Sequence, residues 1–292
     1  MLLVVASAQQ TRLDPQRVSN VIAAAPADSD LQAGLSLGIS ALLDRKASPA
    51  WIHDGSPREL EFAGRTVSVS IQDANGCINL NEADLEQLQS LLRVVGVERN
   101  AVRSLAAAIV DWRDPDGVIT PNGAELATYV ENGAPSKPAN RPFLSVGELK
   151  SVFGMPPDVA DKLASLVSVF TEGDEVNPMT APELVLRATF PDEEVPGILA
   201  RRVKRAEAES GPEGAAPASD IGDADLRSAT DEDLVEVPEG PVYVLEIAAL
   251  AHQGADSRAR AVVWLTQDAK QPYHVLDWQL VRPAAKESVP RQ

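Results

Sequence analysis

One cysteine, Cys77, stands in a chain of 292 residues. A lone thiol excludes an intramolecular disulfide and a thiolate metal cluster. Histidine is almost as scarce. His53, His252 and His274 lie far apart, and none shows zinc-ligand spacing. Aromatics make up only 4%. Basic residues are few, 26 against 43 acidic ones, for a net charge of -17. Nucleic acid and anionic membrane surfaces both attract positive charge, so this balance disfavours them as main partners. It suits an exported or cation-binding protein. No apolar run is long. Met1 to Ala6 is apolar, but Gln9, Gln10 and Arg12 end it, short of the roughly 20 apolar residues that a membrane helix needs. No basic n-region precedes it, so it does not read as a secretory signal peptide. It reads as the stub of a longer apolar helix or as an ordinary start packed on the domain. What the chain does have is 44% hydrophobic residues, enough to bury a core in two lobes.

Acidity is concentrated at Asp111-Trp112-Arg113-Asp114-Pro115-Asp116-Gly117, followed by Gly123-Ala124-Glu125 and Tyr129. This stretch follows an apolar helical run, Ala101 to Val110. Pro115, Gly117 and Pro121 break the helix and force a tight loop. Carboxylates gathered on one loop repel each other unless a cation joins them, and a hard, oxygen-seeking ion such as calcium is the natural candidate. An EF-hand register tests this. With Asp114 at position one, Asp116 falls at three and Glu125 at twelve, but Ile119 stands where the turn glycine belongs. The loop is therefore not an EF-hand, and any calcium site has another design. The competing reading is an acidic surface loop with Asp111 or Asp114 capping a turn.

Periodicity organises the rest. Leu31, Leu35, Ile39, Leu42 and Leu43 predict a helix over 31–43, after a polar interval around Pro26. Residues 59–73 alternate and predict a hairpin turning at Ala63-Gly64-Arg65. From Asn79 to Arg205, three helix pairs are expected. Their first members follow Ile78-Asn79-Leu80-Asn81-Glu82-Ala83, Leu144 to Leu149 and Val176 to Leu184. Their second members cover about Asn100 to Val110, Asp158 to Phe170 and Val195 to Arg205. The leucine and valine stripes on them are core positions. Residues 206–240 are poor in apolar residues and acidic, the composition of a solvated connection, and a cation role for Thr230-Asp231-Glu232-Asp233 is the lesser reading there. Alternation returns over 241–249, 260–266 and 273–280, with a turn at Ala255-Asp256-Ser257.

The hairpin and the later strands are too short to be separate domains, so they should pair into one sheet covered by the N-terminal helix. The expected fold is α+β: a pilin-like helix and small antiparallel sheet with a large all-helical domain inserted between strands. The divisions are 1–78 for the helix and first strands, 79–238 for the inserted helical domain, 239–282 for the remaining strands and 283–292 for a frayed tail.

Taken together, three motifs carry a resemblance. They are Ile78-Asn79-Leu80-Asn81-Glu82-Ala83, the run Val110 to Gly117 with Gly123-Ala124-Glu125 and Tyr129, and Asn140-Arg141-Pro142-Phe143-Leu144-Ser145-Val146-Gly147-Glu148-Leu149. With the echo at 176–184, they make the chain similar to the K-type minor pseudopilin family of the type II secretion system. The resemblance implies a structural, non-enzymatic subunit that caps the tip of a periplasmic pseudopilus and helps initiate its assembly. It implies other minor pseudopilins as partners, with secreted cargo a further candidate, and attachment to the bacterial inner membrane through an N-terminal helix of which this chain holds only the last part. It also implies structural calcium, held by Asp114, Asp116 and Glu125, with Asp111 as a further ligand.

Two other classes stay open. Leu91-Leu92-Arg93-Val94-Val95-Gly96-Val97 resembles a DNA-binding helix-hairpin-helix, although the turn has one glycine and Glu98 follows it. A metal-assisted hydrolase built on the acidic cluster is the other, and it would lose activity on substitution of Asp114 or Asp116.

Overall fold

The computed structural model describes residues 15–44, 51–62, 65–171, 173–209, 240–249 and 257–281. The alternating stretches form strands β1 (Asp54–Phe62) and β2 (Arg65–Asp73) early in the chain. Three more, β5 (Val242–Ala249), β6 (Ser257–Leu265) and β7 (Tyr273–Val281), come late. They build one antiparallel sheet in the order β1-β2-β5-β6-β7. The central pair, β2 and β5, is brought together although the whole helical block lies between them in sequence. The α+β class agrees with expectation, and so does the pairing of these five strands into one sheet.

Period-two alternation selects the buried face. Val67, Val69 and Ile71 of β2, Leu245 and Ile247 of β5, and Ala261 and Val263 of β6 all point to one side. Helix α1 (Pro15–Leu43) covers them with Leu31, Leu35, Ile39 and Leu42. The contact is close because Gly34 and Gly38 face β5. A Cβ at Gly34 would lie 2.5 Å from Ile247 Cγ2, and one at Gly38 would lie 2.6 Å from Leu245 Cδ2. Arg65 ties the start of β2 to Asp30 of α1 at 2.8 Å. The helix is longer than its leucine stripe predicts: its backbone passes through Pro26. Proline removes one backbone hydrogen bond there but is well suited to the first turn, where Pro15 stands.

The helical block holds its own core. Helices α2 (Leu85–Val94) and α3 (Arg99–Arg113) bury Leu88, Leu91, Leu92, Val102, Leu105, Ile109 and Trp112. A short α4 (Leu126–Glu131), not anticipated, follows the acidic loop. Residues Val146–Ser151 form a 3-10 turn, then come α5 (Pro157–Leu163), α6 (Glu183–Thr189) and α7 (Val195–Glu209). The helix expected over Asp158 to Phe170 ends at Leu163. Beyond it, β4 (Val167–Ser168) pairs in parallel with β3 (Ile78–Asn79), because Ile78 N and Leu80 N donate to Leu166 O and Ser168 O. A tertiary ladder there outcompetes continuation of the helix.

One buried carboxylate joins sheet and block. Asp73, at the end of β2, is fully buried. Its Oδ1 accepts from Asn75 N (3.0 Å) and Gly240 N (3.3 Å), and its Oδ2 accepts from Thr180 Oγ1 (3.0 Å) and Asn177 Nδ2 (3.5 Å). Gln72 Nε2 donates to Thr180 O at 2.9 Å beside it. Of the solvated connection expected over 206–240, residues 206–209 instead continue the backbone of α7. The expectations for Met1 to Ala6, for 63–64 and 255–256 as turn residues, for the connection over 210–239, and for the 283–292 tail lie outside the described residues.

Candidate metal centre

Helix α3 delivers Asp111 on its last turn and Asp114 at its C-cap. The chain then turns and returns to Glu125, at the N-cap of α4. The return is encoded locally. Pro121 and Asn122 occupy the middle of a turn in which Gly123 N donates to Thr120 O at 2.7 Å. Asn122 has φ 70°, as the third position of a type II turn requires. The fully buried Asp111 carboxylate staples this turn to the helix: Oδ1 accepts from Thr120 N at 3.0 Å and Oδ2 from Ala124 N at 2.7 Å. Gly123 packs so closely on Asp111 Oδ2 that no Cβ fits there.

Each of Asp111, Asp114 and Glu125 offers one oxygen such that all three atoms lie within 4.8 Å of one another. At such a separation two unit charges repel by about 3 kcal/mol, taking an effective dielectric constant of about 20. Asp114 Oδ1 and Glu125 Oε1 are buried and accept no hydrogen bond. Leaving a buried acceptor unmatched costs roughly 1–3 kcal/mol. The electrostatics register the conflict. Burial first, then the negative charges of Asp116 and Asp111, raises the Asp114 carboxyl above its ordinary value, against the opposing pull of Asp116 N–H and Arg113. Burial and the Asp111 charge likewise raise Glu125, against the Leu126 N–H. Three converging hard oxygen donors, two of them with unmatched buried atoms, fit a divalent cation of the calcium class.

Asp116 stands outside this trio. Its side chain is exposed, and Oδ1 accepts from Val118 N at 2.8 Å. Its backbone O is held by Asn140 Nδ2 at 2.8 Å. Of the four expected ligands, the fold brings three together and leaves Asp116 beside them. Thr230 to Asp233 lies outside the described residues.

The scaffold beneath was not foreseen as such. Trp112 stacks on Phe143 with centroids 6.1 Å apart and lies 6.5 Å from Tyr129, which in turn lies 5.3 Å from Phe153. In a chain this poor in aromatics, four share one cluster. Tyr129 is buried, and its hydroxyl accepts from Phe153 N at 2.8 Å; burial pushes its pKa up to about 12. Arg113, on the far side of α3, donates Nη1 to Leu80 O and Nη2 to Ala83 O. Asn81 exchanges two bonds with Phe143, accepting from its N at 2.7 Å and donating to its O at 3.1 Å. The three motifs separated in sequence thus form one packed unit. The only sequence signal for these links was the recurrence of asparagine. A guanidinium aimed at backbone carbonyls leaves no periodic trace.

The hairpin at 91–97 does join α2 and α3, with Gly96 at φ 89°. Nothing in the comparisons with known proteins favours a nucleic-acid reading of it.

Residues 68–172, which contain all three motifs, match the family model described as "Type II secretion system (T2SS), protein K". Among curated proteins, type II secretion system protein K of Pectobacterium carotovorum subsp. carotovorum is 29% identical over 119 residues, 36% of each chain. A putative protein K of Escherichia coli (strain K12) is 26% identical over 152 residues, 46% of each. That of Klebsiella pneumoniae is 26% identical over 177 residues, 55% of this chain and 54% of its own. The matched part thus spans from about a third to just over half of those relatives. A chain in the crystal structure of the GspK-GspI-GspJ complex from the enterotoxigenic Escherichia coli type 2 secretion system has the same fold. Its TM-score is 0.61 at 20% identity, over 92% of this chain and 100% of that one.

Proposed function

We propose that this chain, whose residues 68–172 identify it as a K-type protein of the type II secretion system, caps the tip of the pseudopilus as a structural minor pseudopilin and helps start its assembly. The observation that carries this reading is that the family match encloses the packed three-motif unit and its carboxylate trio. Such a subunit works by shape and contact, not by catalysis. In this reading the helical block between β2 and β5 acts as an inserted domain, hung from the end of a pilin-like domain made by α1 and the five-stranded sheet. The breadth of that domain blocks another subunit from adding above it.

In this reading α1 is the lower part of a pilin helix. Among the described residues no helix is long and apolar enough to cross a membrane. The reading assigns attachment to the inner membrane to the N-terminal side of the chain, with sheet and helical domain in the periplasm. The partners are I- and J-type minor pseudopilins, because the structural neighbour was solved in a GspK-GspI-GspJ complex. Secreted cargo is a further candidate contact. Asp111, Asp114 and Glu125 would hold a structural calcium ion, with Asp116 adjoining. The ion would neutralise the trio and tie the end of α3 to the start of α4.

Mixing the purified chain with its cognate I- and J-type domains tests the reading. Size-exclusion chromatography with light scattering should give a stable three-component complex, and deletion of the gene should stop secretion. Absence of any complex together with intact secretion would sink it. Salt-dependent retention of duplex DNA would revive the helix-hairpin-helix alternative.

A further inference from the structure

The two edges of the sheet are built differently. β1 carries the devices that keep a strand edge from pairing: Pro57, a register irregularity between Asp54 and Pro57, and the charges of Arg58, Glu59 and Glu61. At the opposite edge β7, Tyr-His-Val-Leu-Asp-Trp-Gln-Leu-Val, has no proline or glycine and a single charge, Asp277. Its one interruption is a bulge opposite Val262 and Val263, where Leu276 has no partner. Among the described residues no strand pairs with its outer side.

One face of β7 is apolar as well. Tyr273, Val275, Trp278 and Leu280 pair with Leu265, Val263, Ala261 and Ala259, so they share the face that α1 covers farther in. At β7 that cover gives out: Val275 is 41% and Leu280 61% exposed. An edge of this length and polarity has unmatched backbone groups and unburied side chains together, which is what strand addition satisfies.

The chemistry of the edge also selects the occupant. A second copy is a poor one. In the antiparallel register that pairs all nine residues, Asp277 would face its own twin, and each copy brings a net charge of -17. A strand with a cation opposite Asp277 reverses that sign.

We propose that the outer edge of β7 takes up, by strand addition, an extended segment of a partner pseudopilin that presents apolar residues at alternate positions and a lysine or arginine opposite Asp277. This rests on the functional reading above, which supplies the partner class.

The test is hydrogen exchange of those amides within 273–281 that point away from β6, measured on the chain alone at two concentrations and in complex with its cognate I- and J-type domains. Exchange in the free chain should be fast at both concentrations, and complex formation should slow it about tenfold or more. Asp277→Lys and Val275→Lys should each weaken the complex about tenfold, whereas Val203→Lys, on α7, should leave it unchanged. Thermal melts confirm that each variant is folded, and the exchange data on the unaltered chain stand without them. A complex that forms with β7 still exchanging freely overturns the inference and leaves the functional reading intact. No complex at all overturns both. Slow exchange in the free chain overturns it too: independent of concentration, it means a segment of this chain covers β7; dependent on concentration, it means a second copy does.

Discussion

Two buried acidic sites in this molecule solve the same problem in different ways. Asp73 is fully buried, yet both of its oxygens are matched by donors from the protein itself: Asn75 N, Gly240 N, Thr180 Oγ1 and Asn177 Nδ2. At the end of α3, Asp111 is matched by Thr120 N and Ala124 N, but Asp114 and Glu125 each keep a buried oxygen without a partner. The first site is complete as folded. The second is complete only with a proton or a cation. Burial of a carboxylate is therefore not itself a sign of a metal site. What sets the second site apart is its two unmatched carboxylate oxygens.

The largest expected effect lies at the complete site. Asp73→Ala removes the acceptor for four donors and should cost about 3 kcal/mol or more. Urea denaturation reads that loss, and it should be equal in calcium and in chelator. A calcium-dependent loss would mean the two sites are coupled. Next is the response of the incomplete site. Calcium at about a hundred times its Kd should stabilise the chelated protein by about 2.7 kcal/mol. Thermal melts should show the gain, and Glu125→Gln should lose most of it. Identical melts with and without calcium would reduce the trio to a strained acidic turn.

The third expectation concerns pH. Asp114 and Glu125 are raised above ordinary values of 3.8 and 4.5. The folded state therefore holds its protons more tightly than the unfolded state does. In chelator, their contribution is favourable below that range and is lost as pH rises through it and above. Calcium binds the ionised form, so the trend should reverse when it is present. Melting temperatures from pH 4 to 7 under both conditions give the sign. The smallest effect belongs to Asp116→Ala. Its side chain is exposed and bonded only within its own loop, so stability should move by no more than about 0.5 kcal/mol. The calcium gain should survive. Loss of that gain would return Asp116 to the ligand set.

Much of the fold was legible because short-range rules wrote it. Alternation marked all five strands of the main sheet, and the 3.6-residue stripes on α2 and α3 marked their buried faces. Pro115, Gly117 and Pro121 marked the tight loop that follows α3. Legibility failed where distant backbone intervened. The expected helix over 158–170 gave way at Leu163 because Val167 and Ser168 find a parallel partner in Ile78 and Asn79. α4 was missed because six residues with a single buried one, Tyr129, leave almost no periodic pattern.

The same division applies to the candidate site. By itself, the sequence determined that carboxylates crowd one loop, that the loop must turn tightly, and that the chain is too acidic to favour an anionic partner. These are matters of composition and local backbone preference. Only the tertiary structure decided that Asp111, Asp114 and Glu125 meet while Asp116 stands beside them, and that donors of the protein itself match both oxygens of Asp73. Those outcomes depend on which donors from elsewhere in the chain reach each oxygen, and spacing along a sequence carries no record of that.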